Sequence, residues 1–202
     1  MTPEPFVRPP ARLPFPWGWL LGQVERKLGK RLEANRILAW SPRLLAGTGL
    51  MEALVIHDDP EVPRRLLKLL RVFASYQVSC PFCIDLNGQG FAAEGVSAAE
   101  VKALATGKPW DSPLFSTPET AGEAAALRYA ACVCATPVRF PDPVIEALHR
   151  HFSDRAFTVI AATVAQVNFW ARYIQGVGVS EAGFSGDPEL LALEQFRTRV
   201  NR

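Results

Sequence analysis

The chain has 202 residues, 49% of them hydrophobic, enough to bury a sizeable core as one domain rather than two. Its 22 Lys and Arg against 20 Asp and Glu leave a formal charge of +2, and no basic run is interleaved with aromatics, which excludes the footprint of a nucleic-acid binder. Four cysteines are too sparse for a secreted disulfide scaffold, and the apolar stretch from Leu13 to Leu21, broken by Pro14 and Pro16, is neither a membrane span nor a signal sequence, so the chain reads as cytoplasmic.

Six of the 17 prolines fall in residues 1–16, a segment that holds no regular helix and reads as an extended arm, placed to lie over a neighbouring subunit. Residues 17–202 form a single helical domain. From Trp17, the positions Leu20, Leu21, Val24 and Leu28 recur at helical spacing with Glu25, Arg26 and Lys27 facing away. A second helix over Arg31 to Trp40 stops before Pro42, which disfavours helical geometry in the preceding residue, and a third runs on to about His57. After the turn at Asp58-Asp59-Pro60, Pro63 sits in a first helical turn and Leu66, Leu67, Leu70, Phe73 and Ala74 make one apolar face.

That helix leads into Ser79-Cys80-Pro81-Phe82-Cys83. Pro81 is comfortable only at a first helical position, so Cys80 or Ser79 caps a new helix there. Gly88 and Gly90 predict that this helix breaks there or that another backbone packs closely, and Gly95 ends it. Ser97-Ala98-Ala99-Glu100 is a capping box opening a helix of about three turns that stops at Gly107. The proline-rich stretch 108–118 is a loop joining two helical halves. Beyond it, helices are predicted over Thr120 to Ala135, Pro143 to Phe152 and Phe157 to Gly176, the last the most apolar and central to the core. Asp187-Pro188-Glu189 starts a final helix through Leu190, Leu191, Leu193 and Phe196. No period-2 run bounded by hairpin turns appears, so the fold class is all-α.

The chemistry centres on Cys80 and Cys83. A thiol at a helix start feels the partial positive charge of unpaired N–H groups, which favours thiolate, and a Cys-x-x-Cys turn brings two sulfurs within reach of a disulfide. An oxidised sulfur on one cysteine can then be resolved by the other. Two alternatives stand beside this reading: buried core thiols, and a four-thiolate zinc site with Cys132 and Cys134. The latter pair point about 200° apart on a helix, which argues against one shared ion. The redox reading needs no metal and no cofactor.

The run Ser79-Cys80-Pro81-Phe82-Cys83-Ile84-Asp85-Leu86, with the later Gly95-Val96-Ser97-Ala98-Ala99-Glu100-Val101 turn, resembles the carboxymuconolactone decarboxylase/alkylhydroperoxidase (AhpD-like) superfamily. Glu123 to Leu127, Val144 to Phe152 and Asn168-Phe169-Trp170-Ala171-Arg172 resemble the second half of its longer, peroxidase-related members, so the similarity spans roughly residues 40 to 178. The resemblance implies an AhpD-like helical bundle assembled as a homo-oligomer (dimer, trimer or hexamer). It also implies a hydroperoxide or disulfide substrate, attack by Cys83, resolution by Cys80, and regeneration by a dithiol reductant. Active members carry a Glu twelve residues before the first cysteine and a His four after the second, as a proton relay; this chain has Lys68 and Asn87 there. Asn87, one turn beyond Cys83, offers a thiolate a hydrogen bond but cannot take its proton, whereas Lys68 would favour the thiolate if it points at the pair.

Among other candidates, Asp85 is expected to pair away from the sulfurs. His57, His149 and His151 are far from the cysteines in sequence, His149 and His151 reading as surface residues near a helix end, and Tyr76, Tyr129, Asn168 and Arg172 read as core or cavity lining, with Glu123 the expected partner of a buried Arg172. The rival reading from another class is a non-catalytic helical oligomer serving as an assembly or binding module; lactone decarboxylation, which the superfamily name suggests, is not implied by the Cys-x-x-Cys type.

Overall fold

The structure of the protein, a computed structural model, describes residues 4–53 and 58–192. His57, Leu193 and Phe196 lie outside these residues. The described chain is all-helical: α1 (Trp17–Leu28), α2 (Glu33–Leu38), α3 (Pro42–Ala53), α4 (Arg64–Gln77), α5 (Pro81–Gly88), α6 (Ala98–Ala105), α7 (Ala121–Cys134), α8 (Asp142–His151), α9 (Asp154–Gly176) and α10 (Glu189–Ala192). Short 3₁₀ turns occupy Phe91–Glu94 and, within the proline loop, Pro109–Asp111 and Pro113–Phe115.

The local signals act where they are strongest. Gly29 at φ 67° closes α1, and Ser97 and Glu100 form both halves of the capping box of α6, worth about 1 kcal/mol. With eight residues, α6 is nearer two turns than three, because Thr106 and Gly107 close it early. Ser153 caps α9 by accepting from Ala156 N at 3.1 Å.

The central helix is α4, not α9 as expected from apolar content. Nine of the fourteen α4 residues are buried, and α4 packs against α5, α6, α7 and α9. Helix α9 is longer but keeps one side in solvent, with Phe169 exposed. Arg65 of α4 ties this core together at its edge: it reaches Glu123 of α7 at 2.8 Å and 3.1 Å and also bonds Glu100 of α6. Glu123 is therefore not the partner of Arg172, which is exposed and only approaches Thr136 Oγ1 at 3.4 Å.

At Gly88 the expected break occurs, ahead of Gly95, and the close neighbour is a side chain rather than another backbone. Helix α5 stops there, and a Cβ on Gly88 would lie 2.6 Å from Leu190 Cδ1, so α10 docks where a larger residue would stand. Tyr76 Oη holds the same element by donating to Leu190 O at 2.9 Å. The arm, described from residue 4, lies on its own chain: Phe6 N donates to Val177 O at 2.9 Å and Trp40 Nε1 to Arg8 O at 2.8 Å. Trp19, Leu20 and Val24 of α1 and Leu44 and Leu50 of α3 are exposed. No described helix is long and apolar enough to cross a membrane.

Candidate active site

The cysteine turn is set by the way α4 ends. Ser79 adopts φ 51°, Ser79 N donates to Tyr76 O at 3.1 Å and Cys80 N to Ser75 O at 3.2 Å. These paired bonds are those of a Schellman C-cap, with serine in the left-handed position that glycine usually fills, at a cost of about 1 kcal/mol. The reversal delivers Cys80 as the N-cap of α5, with Pro81 at the first helical position. Cys80 and Cys83 are joined by a disulfide, with Cα atoms 5.2 Å apart. Cys83 N donates to Cys80 Sγ at 3.3 Å, so the sulfur takes the place a serine oxygen holds in an ordinary cap.

The pair is enclosed unequally. Both cysteines belong to one apolar cluster with Leu21, Phe82, Ala171, Ile174 and Phe184. Cys80 is fully buried, whereas Cys83 lines a cleft of about 1060 Å³ between α1, α3, α4, α5 and α9. Cys83 is itself only 3% exposed, and the cleft approaches the pair from its side. Phe82, between the two sulfurs in sequence, packs edge-on against Phe184 with ring centroids 5.5 Å apart.

Asp85 holds the loop 182–185 that carries Phe184. Its Oδ2 accepts from Ala182 N at 3.1 Å and Phe184 N at 2.9 Å, and its Oδ1 from Ser185 N at 2.9 Å and Ser185 Oγ at 2.8 Å. Burial acts to raise the Asp85 pKa, but these donors outweigh it and hold the carboxyl below its usual range. As expected, Asp85 pairs away from the sulfurs.

Lys68 and Asn87 stand on the cleft wall but are engaged structurally. Lys68 Nζ donates to Asn87 O at 3.0 Å and Gln89 O at 2.8 Å, capping the C-terminal end of α5, a helical turn or more beyond Cys83. In this disulfide form, orphan carbonyls at the end of α5 take the Lys68 donors. Burial, then the neighbouring Arg71 charge, pushes the Lys68 pKa down. Asn87 Nδ2 donates to Ser75 Oγ at 3.0 Å, and Ser75 Oγ donates to Arg71 O at 2.8 Å. Its amide thus clasps α5 to α4, and in the disulfide form its donor goes to a hydroxyl instead of a sulfur.

A carboxylate not singled out from the sequence faces the same cleft. Glu52 of α3 accepts at Oε1 from Gln166 Nε2 at 2.7 Å and from Trp170 Nε1. The side chain remains open to solvent within the cleft, yet the surrounding protein displaces enough water to push its pKa up, against the two donors and the Arg71 charge. The signal available in sequence was weak, because Glu52 sits in a helix with little amphipathic pattern.

The other candidates fall elsewhere. Cys134 is buried and its pKa is pushed up to about 11 by burial, despite a bond from Asn168 Nδ2 at 3.2 Å and the Arg172 charge. Burial also pushes the Cys132 thiol up, the direction that disfavours the reactive thiolate. No cluster of three or more His, Cys, Asp or Glu is placed to hold a metal among the described residues. His149 and His151 are exposed. Tyr76 and Tyr129 are core residues, Tyr129 stacking on Phe140 at 5.3 Å.

No protein-family model matches the sequence, and no curated protein matches it significantly. Solved structures do. A crystal structure of a cysteine-to-alanine variant of the debrominase Bmp8 in complex with 2,3,4-tribromopyrrole superposes with a TM-score of 0.74 at 18% identity, covering 95% of this chain and 98% of that one. The AhpD core of a peroxidase-related protein from Ralstonia eutropha JMP134 gives 0.69 at 18% identity over 96% and 98%. A peroxidase-related protein from Silicibacter sp. TM1040 gives 0.70 at 17% identity over 98% and 99%. At such identities the agreement speaks for the fold.

Proposed function

The chain has the AhpD-like fold, and from it we propose a thiol-dependent oxidoreductase that reduces a hydroperoxide, or exchanges with a disulfide, through Cys80 and Cys83. The observation that carries this reading is the disulfide in which Cys83 lines the cleft while Cys80 is fully buried at the N-cap of α5. In the oxidative half, the Cys83 thiolate attacks the terminal peroxide oxygen, the O–O bond breaks, and Cys83 becomes a sulfenic acid as alkoxide departs and takes a proton to leave as alcohol. The Cys80 thiol then displaces water and closes the disulfide. In the reductive half, a thiolate of an external dithiol attacks Cys83 Sγ and Cys80 leaves as thiolate. The N–H of Cys83, already bonded to Cys80 Sγ, stabilises that leaving group, which speeds exchange. A second thiol of the reductant resolves the mixed disulfide.

Steady-state assays with dithiothreitol and an organic hydroperoxide, and separately with a small disulfide, test the reading. Consumption of either substrate faster than in the protein-free mixture is expected; acceleration of neither, with Cys83 alkylation showing an ordinary thiol pKa near 8.5, leaves the assembly module as the better description.

We also propose that the chain is a homo-oligomer, because Trp19, Leu20, Val24, Leu44 and Leu50 expose large apolar side chains on α1 and α3. Sedimentation equilibrium is expected to report a multiple of 22.2 kDa, and a persistent monomer would remove this part of the reading.

A further inference from the structure

The thiol cycle needs a group that takes the Cys83 proton and gives it back to the departing alkoxide. Neither residue flanking the pair does so: Lys68 is bonded to two carbonyls and Asn87 to Ser75. Glu52 lines the same cleft as Cys83, from the α3 side. Its Oε1 is fixed by Gln166 and Trp170 of α9, while Oε2 lies outside both bonds. Trp170 also packs against the apolar cluster that contains Cys80 and Cys83, so one indole joins the carboxylate to the packing around the sulfurs.

We propose, resting on the redox reading above, that Glu52 is the proton carrier of the Cys83 reaction. The Cys83 thiol gives its proton to the Glu52 carboxylate, and the thiolate attacks the hydroperoxide. The Glu52 carboxylic acid then protonates the leaving alkoxide, so the carboxylate is restored as alcohol departs. Two electrons pass from the two thiols to the peroxide, and the second oxygen leaves as water when Cys80 closes the disulfide.

The surroundings suit the task. Charged groups lining the cleft are Arg64, Lys68 and Arg71 of α4, Lys27 of α1 and Glu94 of the 3₁₀ turn Phe91–Glu94 after α5. Of these, Arg71 acts on Glu52 to lower its pKa, whereas burial raises it and prevails. A carboxyl lifted toward neutrality exchanges protons with a thiol more readily than one at its ordinary value.

Glu52→Gln keeps the shape and the acceptor for Trp170 but cannot titrate. On the reduced full-length chain, alkylation of Cys83 by iodoacetamide, located by peptide mass, is followed against pH alongside hydroperoxide turnover. The expected result for E52Q is a kcat lower by about 10²-fold or more with KM little changed, and loss of one ionisation from the alkylation profile. Glu52→Asp should restore part of the rate. Trp170→Phe, which removes one of the two donors to the carboxylate and leaves that of Gln166, should shift that same ionisation. An alkylation profile identical to wild type in a folded E52Q overturns the proposal. If the wild type consumes no substrate, the redox reading fails, while the alkylation profiles still decide whether Glu52 shares its proton with Cys83.

Discussion

Cys83→Ser is expected to lower dithiol-dependent turnover by about 10³-fold or more, since a serine hydroxyl is a far weaker nucleophile and cannot form a disulfide. Cys80→Ser separates the two roles. With the resolving sulfur gone, Cys83 still reacts once, and its sulfenic acid persists or is driven on to sulfinic acid, giving a burst without turnover. The difference follows from the enclosure of the pair, because only Cys83 lines the cleft. Stopped-flow consumption of an organic hydroperoxide, with peptide mass analysis of the sulfur products, reads both variants. Equal single-turnover rates in Cys83→Ser and wild type would show that the attacking sulfur had been assigned to the wrong residue.

Asp85→Ala is the second large effect, and it concerns stability. Removing the carboxylate leaves the N–H groups of Ala182, Phe184 and Ser185 without their acceptor, a loss of about 3 kcal/mol, and it frees the loop that carries Phe184 onto Phe82. The pH dependence has a definite sign. A carboxyl whose pKa is lowered on folding contributes stability that is fully present above its unfolded value of about 4 and is lost as the pH falls through the folded value. Thermal melts should therefore separate wild type from Asp85→Ala widely at neutral pH and converge in strong acid. A separation independent of pH would mean that the carboxylate is not the group at work.

How much of this was legible in the sequence depended on how local the cause was. Pro81 after Cys80 marked the start of α5, and Ser97 with Glu100 marked that of α6, because each rests on residues within one turn. The AhpD-like fold was likewise readable from the cysteine run and the helices around it. What failed was pairing at long range. Glu123 was assigned to Arg172, yet its partner Arg65 lies 58 positions away on α4, a separation no periodicity reports. Lys68 aligned with a relay position but spends its donors on the carbonyls of Asn87 and Gln89, and backbone acceptors leave no trace in the pattern of side chains. Asp85, a single acid in the apolar run Pro81 to Gly88, did announce that it needed partners; the 182–185 loop that supplies them became visible only once folded. Glu52 carried no such mark, since its meaning comes from Gln166 and Trp170, more than a hundred positions away.

The central claim is that these two sulfurs exchange electrons with an oxidant. The most direct measurement adds one equivalent of an organic hydroperoxide to the fully reduced protein and reads the intact mass together with the alcohol released. A Cys80–Cys83 disulfide, two hydrogens lighter than the dithiol, formed alongside one equivalent of alcohol is the predicted result. Thiols that survive the treatment unchanged, with the hydroperoxide intact, would contradict it.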